Sequence, residues 1–140
     1  MTVHLIKLSV GTDSVEDLAT WQAMRIKQTG AAPRHVTRMW PKREAEILEG
    51  GSIYWVIKGQ VQARQRITAL EEVDRGDGIR RCAILLDPQI QRVAPTQKRP
   101  FQGWRYLKPE DAPRDLPAAR ESDDRLPPEL DAALAEIGVI

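Results

Sequence analysis

Three runs of alternating apolar and polar residues, separated by short glycine-containing links, occupy the middle of the chain. They cover residues 52–57, 61–73 and 79–86. Lys58-Gly59 joins the first two runs and supplies a glycine for the positive φ that a tight hairpin requires, and a link containing Asp-Gly joins the second to the third. Such short links leave no room for a crossover helix, so the sequence predicts three consecutive antiparallel strands.

The residues before these strands predict one further strand and two helices. Residues 3–10 alternate as a strand does, and residues 13–16 have the form of a capping box. The apolar spacing that follows predicts a helix of about 14 residues that ends at Gly30. Pro41 suits the first position of a short second helix that runs through Leu48. The sequence therefore predicts an α+β domain.

Prolines divide the segment after the three strands. Residues 90–94 predict a short strand, whereas residues 95–100 are expected to form a loop because proline cannot donate to a strand ladder. Residues 109–128 contain five of the ten prolines and are typical of an extended linker.

The C-terminal segment is acidic and ends in an apolar pattern. Leu130, Leu134 and Ile137 predict an amphipathic C-terminal helix. We therefore expect a domain at residues 1–116 and an acidic, proline-rich tail at residues 117–140. The acids near this boundary, Asp115 among them, either lie beside the basic body and compete with phosphate or face water.

The formal charge of +1 hides a strong asymmetry along the chain. Residues 21–108 carry 17 Lys and Arg against 8 acids, a net charge of +9, whereas residues 109–140 carry 3 Arg against 9 acids, a net charge of −6. A basic body with an acidic tail favours a polyanionic partner. The longest apolar stretches fall short of the roughly 18 residues of a transmembrane helix, so we expect a cytoplasmic protein with no membrane partner.

Two motifs resemble an uncharacterised bacterial family of small proteins. They are GSIYWVIKGQVQAR at residues 51–64 and RPFQGWRYL at residues 99–107, and the resemblance extends to about Leu116. The glycine-led strand, tight turn and long second strand are also distantly similar to the PUA-like superfamily, which includes ASCH and EVE domains. That similarity implies a small, mostly antiparallel β-barrel that binds RNA or modified bases. The Gly-x-Lys-x-x-Glu-x-Arg pattern of ASCH domains is absent, so no catalytic residue is carried over.

Cations and aromatic rings are interleaved around Trp40 and between residues 98 and 106. This mixture suits single-stranded RNA or a flipped base, because the cations hold phosphate and the rings stack on the base. A two-residue turn at Lys58-Gly59 would place Trp55 opposite Gln62 and beside the arginines of the second strand; the alternative is that the rings are core. The candidate nucleic-acid-binding residues are Arg38, Trp40, Lys42, Arg43, Trp55, Arg64, Arg66, Lys98, Arg99, Trp104, Arg105 and Tyr106.

The sequence favours binding without catalysis. Cys82 lies in an apolar strand where a thiol is inert, and one cysteine excludes an internal disulfide and a multi-cysteine zinc site. His4 and His35 are too scattered to indicate a metal or acid–base site, so no catalytic, metal or cofactor residue is assigned. We expect RNA or a base to bind in a basic cleft lined by Trp40, Arg64, Trp104 and Tyr106. The first alternative is an enzyme acting on nucleic acid or a nucleotide, which needs a carboxylate or histidine in that cleft. The second is a protein-interaction module that forms a homodimer.

Overall fold

The computed structural model describes residues 2–117 of the chain, and the predicted C-terminal helix lies outside them. The described part is a mixed α+β fold, as the sequence predicts. Its elements are β1 (His4–Leu8), α1 (Val15–Thr29), β2 (Arg34–Thr37), α2 (Glu44–Leu48), β3 (Ser52–Ile57), β4 (Gln60–Val73), β5 (Arg81–Leu86), β6 (Gln91–Gln97), β7 (Trp104–Leu107) and a short 3-10 helix, Pro109–Asp111.

The seven strands form one curled sheet in the order β2-β5-β4-β3-β1-β7. Strand β6 pairs with the first part of β4, beside β5. All pairs are antiparallel except β1 with β3, which are parallel. The curl brings His35 of β2 to within 6.4 Å of the Trp55 ring of β3, although two strands separate them in the sheet. The prediction of a mostly antiparallel barrel is therefore confirmed in part, because the sheet forms a half-barrel.

The three central strands pair as predicted, but their register differs by one residue. Lys58 and Gly59 form the two-residue turn with φ of 51° and 77°. A bulge follows in β4, so Trp55 lies opposite Ala63 and not opposite Gln62. The prediction that Trp55 stands beside the arginines is wrong, because one extra residue moves the ring to the other face of the sheet.

The sheet buries apolar side chains on both faces. The inner face carries the larger core, in which residues of β1, β3, β4 and β5 pack against α1, α2 and Trp104. The outer face carries a smaller core around Tyr54, covered by Val93 of β6 and by Phe101. In β4, Ala63, Gln65 and Ile67 face inward, because they alternate with the outward-facing Arg64.

Three local predictions need correction. The predicted capping box begins at Asp13, but the residue that caps α1 is Ser14. Its side chain accepts a hydrogen bond from the Asp17 N–H at 3.0 Å. Helix α2 begins at Glu44, after a turn, and not at Pro41. Strand β6 includes Pro95, which is tolerated because the β4–β6 ladder is interrupted there.

The segment after β7 also differs from the expected extended linker. Residues 109–111 form the 3-10 helix, and residues 114–116 run antiparallel to β6. The Ala94 N–H donates to the Arg114 carbonyl and the Leu116 N–H to the Arg92 carbonyl, both at 2.9 Å. The beginning of the predicted linker is thus part of the folded domain.

Gly51 is required by steric contact with backbone. An added Cβ would lie 2.4 Å from the Ile47 carbonyl oxygen and 2.5 Å from that of Val3. We expect Gly51→Ala to lower the free energy of unfolding by about 3 kcal/mol, because neither oxygen can move without displacing helix α2 or the backbone that leads into β1. Gly76 has a φ of +80° and open space around it. Gly76→Ala should therefore lower the free energy of unfolding, measured in urea, by only about 1 kcal/mol. Equal losses would contradict this account.

Candidate functional site

A cleft of about 320 Å³ opens between α1, β2 and the loop that joins β1 to α1. This volume is at the lower end of small-molecule sites, which span roughly 300–1,000 Å³. We call it the α1–β2 cleft. It is lined by Lys7, Leu8, Ser9, Val10, Gly11, Thr12, Leu18, Trp21, Gln22, Arg34, His35, Trp55 and Leu86.

A buried amide pair holds two residues of this lining in place. The side chains of Gln22 in α1 and Gln65 in β4 donate to each other at 2.8 and 2.7 Å. The Gln65 oxygen also accepts from Trp55 Nε1 at 2.9 Å, and its nitrogen donates to the Asp87 carbonyl at 3.0 Å. All four hydrogen-bonding positions of the Gln65 amide are therefore used, which fixes α1 and the Trp55 ring against the sheet.

The lining of the cleft is basic. Lys7 extends from β1 between Trp55 and Trp104, its pairing partners on the two neighbouring strands. Burial lowers the pKa of Lys7. Arg34 lies on the other side of the cleft and also lines an adjoining groove of about 270 Å³. Among the lining residues of both spaces there are three cations, Arg25 being the third, and no carboxylate.

His35 brings a neutral hydrogen-bonding ring into this basic site. Its ring is edge-on to Trp55, with an interplanar angle of 86°. Burial, with a smaller contribution from the positive charge of Lys7, lowers the pKa of His35 from 6.5 to about 4. At neutral pH the imidazole therefore has one donor and one acceptor nitrogen.

Trp21 is an exposed ring at the mouth of the cleft. It is 53% exposed, whereas Trp55 and Trp104 are each 6% exposed. The Arg25 guanidinium lies 5.2 Å from the centroid of the Trp21 ring. An exposed indole between two connected depressions provides a surface on which a planar ligand can stack.

Only Trp55 of the predicted binding residues lines this cleft. Five others lie where residues 38–43 cross from β2 to β7, next to Lys7 of the cleft, because Lys7 pairs with Trp104. Trp104 and Tyr106 share a face, as the sequence predicts, with their centroids 5.0 Å apart. Trp104 Nε1 donates to the Met39 carbonyl at 2.9 Å. This group, the β7 aromatic cluster, comprises Trp40, Lys42, Arg43, Trp104 and Tyr106.

The rings of the β7 aromatic cluster already have partners within the protein. The Tyr106 hydroxyl accepts from the backbone N–H of Lys42 at 2.9 Å and of Arg43 at 3.2 Å. The Arg80 guanidinium lies 4.2 Å from the centroid of the Trp40 ring, and that of Arg43 lies 5.5 Å from Tyr106. The cluster therefore joins the two edges of the curled sheet. Trp104 is buried, as the core alternative expects, whereas Tyr106 is 38% exposed.

Arg64 and Arg66 lie on the outer face of the sheet, away from the cleft. Arg64 forms a bidentate ion pair with Asp115, with distances of 2.8 and 2.7 Å, and donates to Ser52 Oγ at 2.9 Å. The Arg64 guanidinium lowers the pKa of Asp115 by hydrogen bonding and by its charge. Asp115, an acid near the domain boundary, thus lies beside the basic body, which is one of the two arrangements considered from the sequence.

The remaining predicted cations are dispersed over the surface. Arg38 is exposed in the segment that follows β2. The Arg105 guanidinium lies 4.9 Å from the centroid of the Phe101 ring, next to the outer core. Lys98 and Arg99 line an open depression at the β3–β4 turn. The structure therefore divides the predicted site among several places.

Sequence reasoning missed most of the cleft. A lysine on the inner face of an otherwise apolar strand, after Val3 and Leu5, was the available signal for Lys7. Trp21, immediately before the buried Gln22 of α1, was a second. Arg34 and His35 gave none, because only the curl of the sheet brings β2 to β1.

The other reactive side chains have structural contacts. His4 Nδ1 accepts from the Ser52 N–H at 3.0 Å. Cys82 is buried, and this burial raises the pKa of its thiol to about 11. Within residues 2–117, no three His, Cys, Asp or Glu residues form a group that could hold a metal ion. No helix in the same part of the chain is long and apolar enough to span a membrane.

The chain belongs to the family described as "Protein of unknown function (DUF1489)", whose model matches residues 5–140. The predicted resemblance to an uncharacterised protein family is therefore confirmed. Comparisons with curated proteins and with solved structures gave no match.

The amide pair predicts an unequal and coupled loss of stability. Gln65→Leu should lower the free energy of unfolding by about 3 kcal/mol, because it leaves the Gln22 amide, the Trp55 N–H and the Asp87 carbonyl without partners. Gln22→Leu should cost about 1–2 kcal/mol, since Gln65 keeps two bonds.

A double-mutant cycle in urea checks this coupling. The double variant should lose less stability than the sum of the single losses, because the two amides lose the same pair of bonds. The exposed Gln102→Leu is the control and should change stability by less than about 0.5 kcal/mol. Strict additivity would show that the pair does not act as a unit.

The lowered pKa of His35 predicts weaker folding in acid. Between pH 6.5 and about 4 the unfolded chain binds a proton that folded His35 does not, so the free energy of unfolding falls as the pH falls. His35→Leu should reduce this slope in denaturation curves at several pH values. Some slope should remain because burial also lowers the pKa of His4. An unchanged slope would contradict the burial of His35.

Proposed function

We propose that this protein binds a nucleobase of RNA or of a nucleotide in the α1–β2 cleft, without reacting with it. The observation that carries the proposal is the composition of the cleft and its adjoining groove, which contain two indoles and three cations but no carboxylate. Rings stack on bases and cations hold phosphate, whereas an acidic lining would repel the phosphate.

The base and the phosphate of a nucleotide each have matching groups in the cleft. Trp21 offers the exposed ring on which a base can stack. Neutral His35 can exchange hydrogen bonds with the edge of that base. Lys7 and Arg34 line the same space and can hold a phosphate group. This assignment keeps the ligand class expected from the sequence and moves its site away from most of the residues chosen there.

The fold agrees with this function but does not define it. A half-barrel with a helix after its first strand fits the PUA-like relationship that the sequence resemblance implies, and that relationship would bring RNA or modified bases as ligands. The cytoplasm, where RNA and nucleotides are present, is the expected location. The proposal itself rests on the cleft, since a fold alone does not specify a ligand.

The Trp21 side chain provides the direct test. Trp21→Ala should weaken binding of nucleoside monophosphates and of short single-stranded RNA by about tenfold or more, because stacking contributes about 1–3 kcal/mol per base. Isothermal titration calorimetry measures this loss. The control is Met24→Ala on the same helix, since Met24 is 55% exposed and does not line the cleft.

Thermal melts of both variants show whether the fold is intact. Neither substitution should change the melting temperature by more than a few degrees, because both side chains are exposed. Failure of the wild-type chain to bind any nucleotide or RNA at low ionic strength would overturn the proposal. Equal binding by the two variants would move the site away from Trp21.

The enzymatic alternative is supported by one observation, the position of His35 beside Lys7 in the cleft. A neutral imidazole can accept a proton, but no carboxylate lines the cleft to orient it. We therefore expect nucleotides and RNA to be recovered unchanged after incubation with the protein, as followed by chromatography. Turnover that His35→Leu abolishes would favour the enzyme.

A further inference from the structure

A group of exposed cations surrounds the turn between β3 and β4. Lys58 and Gly59 form the turn, and the Lys98 N–H donates to the Gly59 carbonyl at 2.9 Å. Gly59, Gln97, Lys98 and Arg99 line an open depression of about 390 Å³. We call Lys58, Gly59, Lys98 and Arg99 the basic tip.

The basic tip lies beside the α1–β2 cleft. The Ser9 N–H donates to the Val56 carbonyl at 2.9 Å, which fixes the loop after β1 to the end of β3. Lys58 Nζ lies 3.7 Å from a carboxylate oxygen of Asp13, the residue that follows Thr12. Because Ser9 and Thr12 both line the cleft, one loop forms the wall of the cleft and contacts the tip.

The charges of the tip are available to a ligand. Within residues 2–117, no acidic side chain lies within ion-pair distance of Lys98 or Arg99. The ion pair of Lys58 is long, and both of its side chains are more than 60% exposed, so water screens it strongly. Exposed cations grouped around an open glycine turn allow close approach of a polyanion.

We infer that the basic tip holds the phosphodiester backbone of a single-stranded nucleic acid whose base occupies the α1–β2 cleft. This inference rests on the proposed function and extends it from a single nucleotide to a strand. Lys58, Lys98 and Arg99 contact phosphates beyond the nucleotide in the cleft. RNA and DNA share this backbone, so the tip acts on both, and any preference between them arises in the cleft.

The test compares a strand with a single nucleotide on the full chain. The tip variant is Lys98→Glu/Arg99→Glu, and the matched control is Lys27→Glu/Arg75→Glu. The control reverses the same number of charges at exposed residues that line neither the cleft nor the tip depression. Anisotropy with labelled RNA and DNA strands of about eight nucleotides measures strand affinity, and calorimetry with nucleoside monophosphates measures single-nucleotide affinity.

We expect the tip variant to bind both strands about tenfold or more weakly than the wild-type chain. The slope of log affinity against log salt should become less steep by about 1.4, which corresponds to the loss of two phosphate contacts. Its affinity for the monophosphates should stay within about twofold, since screening limits the effect of distant charges. The control should bind strands much more tightly than the tip variant, and thermal melts should show that both variants are folded.

Three outcomes would contradict the inference. They differ in whether they overturn the basic tip alone or the proposed function as well. Unchanged strand affinity in the tip variant, with monophosphate binding intact, would overturn the tip and leave the proposed function. Equal losses in the tip variant and the control would also overturn it, because net charge alone would then explain the effect. Absence of both strand and monophosphate binding in the wild-type chain would overturn the proposed function together with the inference.

Discussion

The hydrogen bonds of the Gln65 amide hold together the parts of the molecule that the proposed site requires. One side chain joins α1 through Gln22, β3 through the Trp55 indole and the end of β5 through the Asp87 carbonyl. A buried amide is tolerated only when its donors and acceptors are satisfied, and here all are. Because Gln22 and Trp55 line the cleft, the same bonds that dock the helix also shape the site.

The curl of the sheet is the second constraint. It brings β2 over the inner face, so that His35 contacts Trp55 and lines the cleft with Lys7. The segment after β2 then reaches β7, where the Tyr106 hydroxyl accepts two backbone hydrogen bonds. The β7 aromatic cluster thus joins the two edge strands of the half-barrel, β2 and β7, next to Lys7 of the cleft. Aromatic residues that resemble a binding surface in the sequence serve here as structural contacts.

The sequence predicts the local elements well and the site poorly, for physical reasons. The hairpin at Lys58-Gly59 and helix α1 depend on neighbouring residues, so their patterns are visible in the chain. The bulge in β4 inserts one residue without a distinctive motif, and it separates Trp55 from Arg64 by moving them to opposite faces. His35 reaches the cleft through long-range pairing, which local patterns do not report.

The most direct measurement of the central claim follows the indole N–H signals of the four tryptophans by NMR during titration with a nucleoside monophosphate and a short RNA. The Trp55 and Trp104 N–H groups are bonded to Gln65 and to the Met39 carbonyl, and Trp40 donates to Glu44. If the base stacks on Trp21, the Trp21 signal should shift most, with backbone shifts in the loop after β1, and the Trp40 signal should stay in place. Shifts confined to Trp40 and Trp104, with Trp21 unchanged, would contradict the proposed site and place the ligand at the β7 aromatic cluster.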